Sequence, residues 1–198
     1  MTGSEYRNSR NPRQINHKVE GPSCRLPRRV GAGHLAADDL RHTLPMIVPA
    51  DGDFRLDHET DTARLGAAVA GELKAHEAVC LSGPLGAGKS SLARGLIRAL
   101  AGADTDAPSP TFTLVQSYET PRFPLAHFDL YRLERPEEAL ELGLDDALDE
   151  GAAVIEWAEK LGHHLPADRL DIDLAIEGAA RRARLTPHGA WEGRAFEF

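Results

Sequence analysis

Residues 83–90 read Gly-Pro-Leu-Gly-Ala-Gly-Lys-Ser and fit the phosphate-binding pattern G-x-x-x-x-G-K-[ST] at every fixed position. This pattern binds phosphate only where a strand precedes it and a helix follows it. Residues 78–81 are apolar and residues 90–100 repeat apolar side chains at helical spacing, so both elements are predicted. The segment is interpreted as a P-loop, and a glycine-rich turn that binds nothing is the alternative.

Each residue type in this loop suits one part of a nucleoside triphosphate. Gly83, Gly86 and Gly88 allow positive φ and bring N–H groups close to phosphate oxygens, and the helix N-terminus adds partial positive charge. Lys89 is expected to bridge the β- and γ-phosphates, and Ser90 to offer its hydroxyl to Mg²⁺. A guanine-reading Asn/Thr-Lys-x-Asp element would need Asp two positions after a lysine, which no lysine of the chain has, so ATP is favoured over GTP.

Carboxylates follow two further predicted strands. Asp129 closes residues 125–128, and Glu156 closes the fully apolar residues 152–155. Ligands of open α/β sheets lie at the carboxyl ends of the strands, so both side chains are expected beside the phosphate loop. One should hold Mg²⁺ and the other should position the attacking water, and the residues alone do not say which.

Other polar and aromatic residues near these positions have two interpretations each. Ser109-Pro110-Thr111 is either a nucleotide-sensing switch, because a hydroxyl there can contact the γ-phosphate or the metal, or a Pro-braced turn. Trp157 is either a core aromatic or a platform near the nucleotide. The histidines, His127, His163 and His164 among them, have no metal-ligand spacing and are interpreted as ordinary surface or core residues.

The rest of the sequence predicts the elements that position these residues. The predictions are a helix over residues 62–73 with Thr60 or Asp61 as N-cap, a strand over 111–118, helices over 137–142 and 158–161, and a hairpin of 170–176 with 182–186. The predicted fold class is α/β: a three-layer α/β/α P-loop NTPase with a mainly parallel core sheet and antiparallel additions at the C-terminus.

The composition narrows the class of protein and its expected compartment. The chain has 198 residues, a net charge of −8 and only two cysteines, Cys24 and Cys80, with no C-x-x-C pair, which excludes a disulfide-stapled scaffold. Apolar runs are short, so no membrane span is predicted, and a cytoplasmic protein is expected. Residues 51–198 hold the acidic excess, which argues against a broad nucleic-acid surface.

Residues 1–50 differ from the rest. They carry 8 Lys and Arg against 4 Asp and Glu, and they show no sustained helical or strand period. They are predicted to be a flexible N-terminal extension, with Met46 as an alternative start, and residues 51–198 are predicted to form the ATPase domain.

Several segments, taken in order, resemble the bacterial TsaE ATPases over about residues 54–187. They are Thr60 with Leu65-Gly66, LSGPLGAGKSSLARGL, SPTFTLVQSYE, HFDLYRL, PEEALELGLDD and VIEWAEKLG. The glycine loop alone is generic, whereas SPTF followed by HFDLYRL and IEW at these separations is specific. Ser90 stands where the family more usually has threonine, and the N-terminal extension lies outside the pattern.

The resemblance implies a small ATPase of tRNA threonylcarbamoyladenosine synthesis that works with TsaB-like and TsaD-like proteins, reaches tRNA through that complex and needs no membrane. Hydrolysis would drive the turnover of the complex. Lys89, Asp129 and Thr111 would be catalytic, and Ser90 and Glu156 would bind Mg²⁺. ATP would be held by Thr60, Gly83, Leu85, Gly86, Ala87, Gly88, Lys89, Ser90, Ser91 and Trp157.

Two rival functions share the same loop. A small-molecule kinase would need an acceptor pocket and an arginine-bearing lid, and Arg132 and Arg135 are the only arginines just after Asp129. A module that uses ATP only as a conformational ligand is disfavoured by two carboxylates at strand ends.

Overall fold

The computed structural model describes residues 47–198, which form a mixed α/β fold. Its strands are β1 (Ile47–Pro49), β2 (Asp53–Leu56), β3 (Ala78–Ser82), β4 (Val115–Tyr118), β5 (Leu125–Asp129), β6 (Ala152–Glu156), β7 (Arg169–Glu177), β8 (Ala180–His188) and β9 (Ala195–Glu197). Its α-helices are α1 (Glu59–Glu72), α2 (Lys89–Ala101), α3 (Glu138–Glu141) and α4 (Leu144–Glu150), and 3-10 helices span Ala158–His164 and Gly189–Trp191.

Seven strands form one sheet in the order β2-β8-β7-β3-β6-β5-β4. The four central strands, β7, β3, β6 and β5, run parallel. The hairpin of β7 and β8 adds antiparallel pairing, as do β2 and β4 at the two edges. The predicted parallel core and C-terminal hairpin are confirmed, and the carboxyl ends of β3, β5 and β6 lie at one edge.

Helices cover both faces of the sheet. Consecutive residues of β3 point to opposite faces and pack against different helices. Val79 and Leu81 pack with α1 and α2, whereas Ala78 and Cys80 pack with α3, α4 and the first 3-10 helix. A strand buried on both faces is a continuous apolar run, as residues 78–81 are. Burial raises the pKa of the Cys80 thiol, so this cysteine is an inert core residue.

Two glycines let α1 and α2 cross with their backbones in contact. A Cβ at Gly66 would lie 2.1 Å from the carbonyl oxygen of Leu92, and one at Gly95 would lie 2.1 Å from that of Ala63. Backbone cannot give way to such an atom as a flexible side chain can. The two helices are therefore held at this distance by the lack of side chains at the crossing.

Replacement of Gly95 by Ala is expected to destabilise the fold by about 1–3 kcal/mol, since the helices must separate to admit one methyl group. The midpoint of urea denaturation would measure the loss. Gly71→Ala is the matched control, because a Cβ at Gly71 in α1 meets nothing within 4 Å. There the better helix propensity of Ala should stabilise the protein by about 0.5–1 kcal/mol, and equal effects of the two substitutions would contradict the crossing argument.

β1 and β9 form a second, two-stranded antiparallel sheet. Val48 and Phe196 are buried in it and belong to the core cluster beneath α1 and α2. Residues 1–46 of the predicted extension lie outside the described residues. Residues 47–49, which fall inside the predicted extension, pair with the C-terminal strand β9.

Two local predictions need correction. Helix α1 starts at Glu59 with His58 as N-cap, and Asp61 accepts a hydrogen bond from the His58 N–H (2.9 Å), so neither Thr60 nor Asp61 is the cap. The strand expected over 111–118 begins only at Val115, because residues 111–113 form a turn and Leu114 has φ 65°. Helix α4 and strands β1, β2 and β9 were not predicted.

Within residues 47–198, every helix is too short or too polar to cross a membrane.

Candidate functional site

A cavity of about 600 Å³ opens at the carboxyl ends of β3, β5 and β6. The glycine loop, the start of α2, the start of α1 and the β7–β8 turn surround it. Ten of the residues predicted for the site line it: Leu85, Gly86, Gly88, Lys89, Ser90, Ser91, Thr111, Asp129, Glu156 and Trp157. The sheet therefore brings the glycine loop and both strand-end carboxylates to one place.

The loop backbone takes the conformations for which glycine is needed. Gly83, Gly86 and Gly88 have φ of 126°, 78° and 105°. A Cβ at Gly83 would also lie 2.1 Å from the carbonyl oxygen of Leu174 in β7, so the first glycine is fixed by close packing as well. Gly88 leads directly into α2, whose N-terminal N–H groups and dipole suit an anion.

Lys89 lies folded against the loop that precedes it. Its Nζ donates to the carbonyl oxygens of Gly83 (2.6 Å) and Pro84 (3.0 Å) and lies 3.5 Å from the centroid of the Trp157 ring. Burial lowers the pKa of Lys89, and the carboxylates of Glu156, Glu159 and Asp129 act in the opposite direction. Among the described residues this ammonium contacts carbonyl oxygens and an aromatic face, which leaves its charge available to an anionic ligand.

Glu156 is buried and bridges two polar side chains. Ser90 Oγ donates to Glu156 Oε2 (2.8 Å), and His127 Nε2 contacts Glu156 Oε1 (2.9 Å). Within the described residues, His127 Nδ1 has no hydrogen-bond partner. A proton on Nε2 would let the ring donate to this carboxylate. His127 is buried, as expected for a core residue, and it also contacts the Glu156 carboxylate.

The Ser90–Glu156 pair fits a magnesium ion. An octahedral Mg²⁺ with bonds of about 2.0–2.1 Å holds neighbouring oxygens about 2.9 Å apart. The hydroxyl and the carboxylate oxygen are already 2.8 Å apart, and both are hard oxygen donors. Four acidic residues line the cavity, Asp57, Glu59, Asp129 and Glu156, against the cations Lys89 and Arg181. Asp57 is paired with Arg55 (2.8 Å), and the acidic excess that remains means that an added divalent cation would favour a polyanionic ligand.

Asp129 faces Glu156 across the β5–β6 pairing, where the two residues are direct partners in register. Its Oδ2 accepts from Ser109 Oγ (2.8 Å) and Thr111 Oγ1 (2.7 Å), and its Oδ1 accepts from the Tyr131 N–H (3.1 Å). Three donors thus hold in place a carboxylate that is only 3% exposed. The segment predicted as a switch is thus tied to this carboxylate.

Trp157 forms an aromatic wall with Tyr131, their ring centroids 4.9 Å apart. It has φ 62°, uncommon for a bulky residue, while its N–H continues the sheet by donating to the Leu81 carbonyl oxygen (2.8 Å). The left-handed conformation turns the chain directly after Glu156. Trp157 both packs against the core cluster of α3 and α4 and lines the cavity, so its role as a nucleotide platform stays a prediction.

Three of the predicted residues do not line the cavity: Thr60, Gly83 and Ala87. Thr60 is exposed, whereas Glu59 and Thr62 on either side of it line the cavity, and Ser91 Oγ donates to Glu59 Oε1 (2.9 Å).

Sequence reasoning missed Arg181. This residue of β8 lines the cavity, and its Nη2 donates to the Gly86 carbonyl oxygen (3.2 Å). No local pattern could have found it, because the contact joins residues 95 positions apart.

Comparison with known proteins gives one consistent result. Residues 56–184 match the family described as "Threonylcarbamoyl adenosine biosynthesis protein TsaE". The chain is 42% identical over 121 residues to a tRNA threonylcarbamoyladenosine biosynthesis protein TsaE of Rickettsia bellii (61% of this chain, 84% of that protein). It is 37% identical over 121 residues to that of Bacillus subtilis (61% and 73%). A crystal structure of Bacillus subtilis YdiB superposes with a TM-score of 0.59 at 26% identity, covering 74% of this chain and 88% of that one.

Proposed function

The chain belongs to the TsaE family, and from this premise we propose that it is a Mg²⁺-dependent P-loop ATPase that serves tRNA threonylcarbamoyladenosine biosynthesis. Members of this family are named for that pathway. The observation that carries the proposal is the convergence of Lys89, Ser90, Glu156 and Asp129 on one cavity beside the glycine loop. We further propose that the protein acts in the cytoplasm with TsaD-like and TsaB-like proteins and meets tRNA through that complex.

The loop and α2 would hold the triphosphate. Backbone N–H groups around Gly86 and Gly88 suit the β-phosphate, and Lys89 would exchange its two carbonyl partners for phosphate oxygens. Ser90 and Glu156 would hold Mg²⁺, with His127 fixing the second oxygen of the carboxylate. When bound, the ion would neutralise charge on the phosphates and orient them.

Asp129 would position the attacking water. The water oxygen would bond to the γ-phosphorus as the bond to the bridging oxygen of ADP breaks, and the carboxylate would hold or accept the water proton. Thr111 donates to this same carboxylate, so movement of residues 109–111 would change the availability of Asp129. Such coupling suits an ATPase that is slow alone and stimulated by its partners.

ATP hydrolysis by the purified chain tests the function. The expected result is slow Mg²⁺-dependent release of phosphate by the chain alone, rising when TsaB-like and TsaD-like proteins and substrate tRNA are added. Brisk ATP consumption that ignores these partners and requires a small acceptor would instead identify a kinase. If the chain binds ATP but hydrolyses none under any of these conditions, ATP serves only as a ligand that changes its conformation.

Substitution of His127 by Phe is expected to raise the Mg²⁺ concentration for half-maximal hydrolysis by about 10–100-fold, because Glu156 Oε1 loses its donor. ATP affinity measured without Mg²⁺ should not change. His127→Gln, which retains an N–H donor, should recover part of the loss. His188→Phe, on β8 and outside the cavity, is the matched control. An unchanged Mg²⁺ dependence in His127→Phe would remove His127 from the site.

A further inference from the structure

A second group of metal-ligating side chains lies apart from the cavity. Glu137, immediately before α3, meets His163 and His164 at the end of the first 3-10 helix, and one ligand atom of each lies within 4.8 Å of the others. None of the three lines the ATP cavity. The proposed ATPase activity gives these three side chains no role.

The chain brings these residues together by a break in the 3-10 helix. Gly162 has φ 55° and ψ −114°, and a Cβ on it would lie 3.9 Å from Pro136 Cγ, next to Glu137. Lys160 Nζ also donates to the Leu133 carbonyl oxygen (2.9 Å). This hydrogen bond joins the two segments without involving the cluster.

The histidines have few partners of their own. Their rings lie 4.0 Å apart between centroids, and within the described residues His164 Nε2 is buried without a hydrogen-bond partner. A buried imidazole nitrogen without a partner is costly. A metal ion bound through this nitrogen would supply the missing partner.

We propose that Glu137, His163 and His164 bind one divalent transition-metal ion of the zinc class. Two imidazoles and one carboxylate suit Zn²⁺, whereas Mg²⁺ prefers oxygen ligands alone. In a tetrahedral site with bonds of about 2.0–2.1 Å the ligand atoms lie about 3.4 Å apart. Glu137 and His163 are exposed and can rotate to close that gap, and water takes the fourth position.

Occupation of this site would stiffen the segment behind the ATP cavity. The 3-10 helix starts directly after Glu156 and Trp157, and the ion would join its far end to the start of α3. The thermal midpoint should rise with zinc concentration, since a ligand that binds only the folded chain stabilises it.

Titration of the untagged, chelator-stripped full chain with Zn²⁺ in excess Mg²⁺ tests the site, with Co²⁺ absorbance as the second readout. One equivalent should bind, with the visible bands of tetrahedral Co²⁺. His163→Ala and Glu137→Gln should each weaken binding at least 10-fold and abolish the zinc-dependent rise in the thermal midpoint.

Two control variants distinguish this site from other side chains that could bind zinc. His188→Ala removes a histidine that pairs with Asp171 on the sheet (2.8 Å) and should bind zinc as the unmodified chain does. Glu156→Gln should also retain zinc. Zinc binding that survives His163→Ala, or that is lost in Glu156→Gln, would overturn the proposal.

Discussion

Replacement of Asp129 by Asn is expected to lower ATP hydrolysis by about 10²–10⁴-fold while nucleotide affinity stays near that of the unmodified chain. Asn keeps the size of the side chain and an oxygen that can accept from Ser109 and Thr111, so the loop stays attached. It lacks the charge and the basicity needed to hold the proton of an attacking water. The substitution therefore separates catalysis from binding.

Single-turnover hydrolysis and nucleotide titration, measured on the same protein, check this prediction. Asp173→Asn is the matched control, because Asp173 pairs with Ser82 near the same edge of the sheet but does not line the cavity. Its hydrolysis rate should not change. Undiminished turnover in Asp129→Asn would exclude Asp129 from the reaction, and loss of nucleotide affinity would assign it to binding.

Lys89→Ala should weaken ATP binding by about 10–100-fold, and the rate of ATP hydrolysis should fall as well. A hydrogen bond to a charged group contributes about 1.5–3 kcal/mol, which corresponds to that range of dissociation constants. The same change frees the carbonyl oxygens of Gly83 and Pro84 and removes the cation from the Trp157 ring. The substitution therefore removes the positive charge that would bind the phosphates and also the contact of the loop with the Trp157 ring.

Isothermal titration with ATP and Mg²⁺ measures this loss, and Trp157 offers a second readout. Departure of the Lys89 ammonium from the indole on nucleotide binding should change tryptophan emission in the unmodified chain and leave it unchanged in Lys89→Ala. Lys74→Ala removes an equal charge from an exposed position after α1 and should bind ATP normally. Normal ATP binding by Lys89→Ala would refute the phosphate-loop assignment.

Local residue patterns predicted the part of the site that depends on sequence neighbours. The glycine spacing indicated the loop, and the ends of two apolar runs indicated Asp129 and Glu156, because a parallel sheet collects strand ends at one edge. The position of His127 in the sequence also indicates a role in the site. A polar residue inside the fully buried strand β5 needs a partner, and the adjacent strand β6 supplies Glu156.

Three features were not predicted: one depends on a long-range contact, and two depend on local hydrogen bonds that the residue types alone do not specify. Arg181 reaches Gly86 only because β8 returns beside the loop, and His58 caps α1 through Asp61 although Thr60 has the better capping side chain. The β-branched run after Pro110 predicted a strand. The Leu114 N–H instead donates to the Pro110 carbonyl oxygen (2.6 Å), and the resulting turn places Thr111 on Asp129.

The glycine crossing of α1 and α2 determines which walls of the cavity can move. Because backbone touches backbone at Gly66 and Gly95, the crossing has no rotamers through which the helices could slide past one another. We therefore expect Glu59 and Thr62 to move together with Lys89 and Ser90. Residues 109–114 and the β7–β8 turn lie outside this crossing, so we expect any opening of the cavity in the proposed ATPase to involve these two segments.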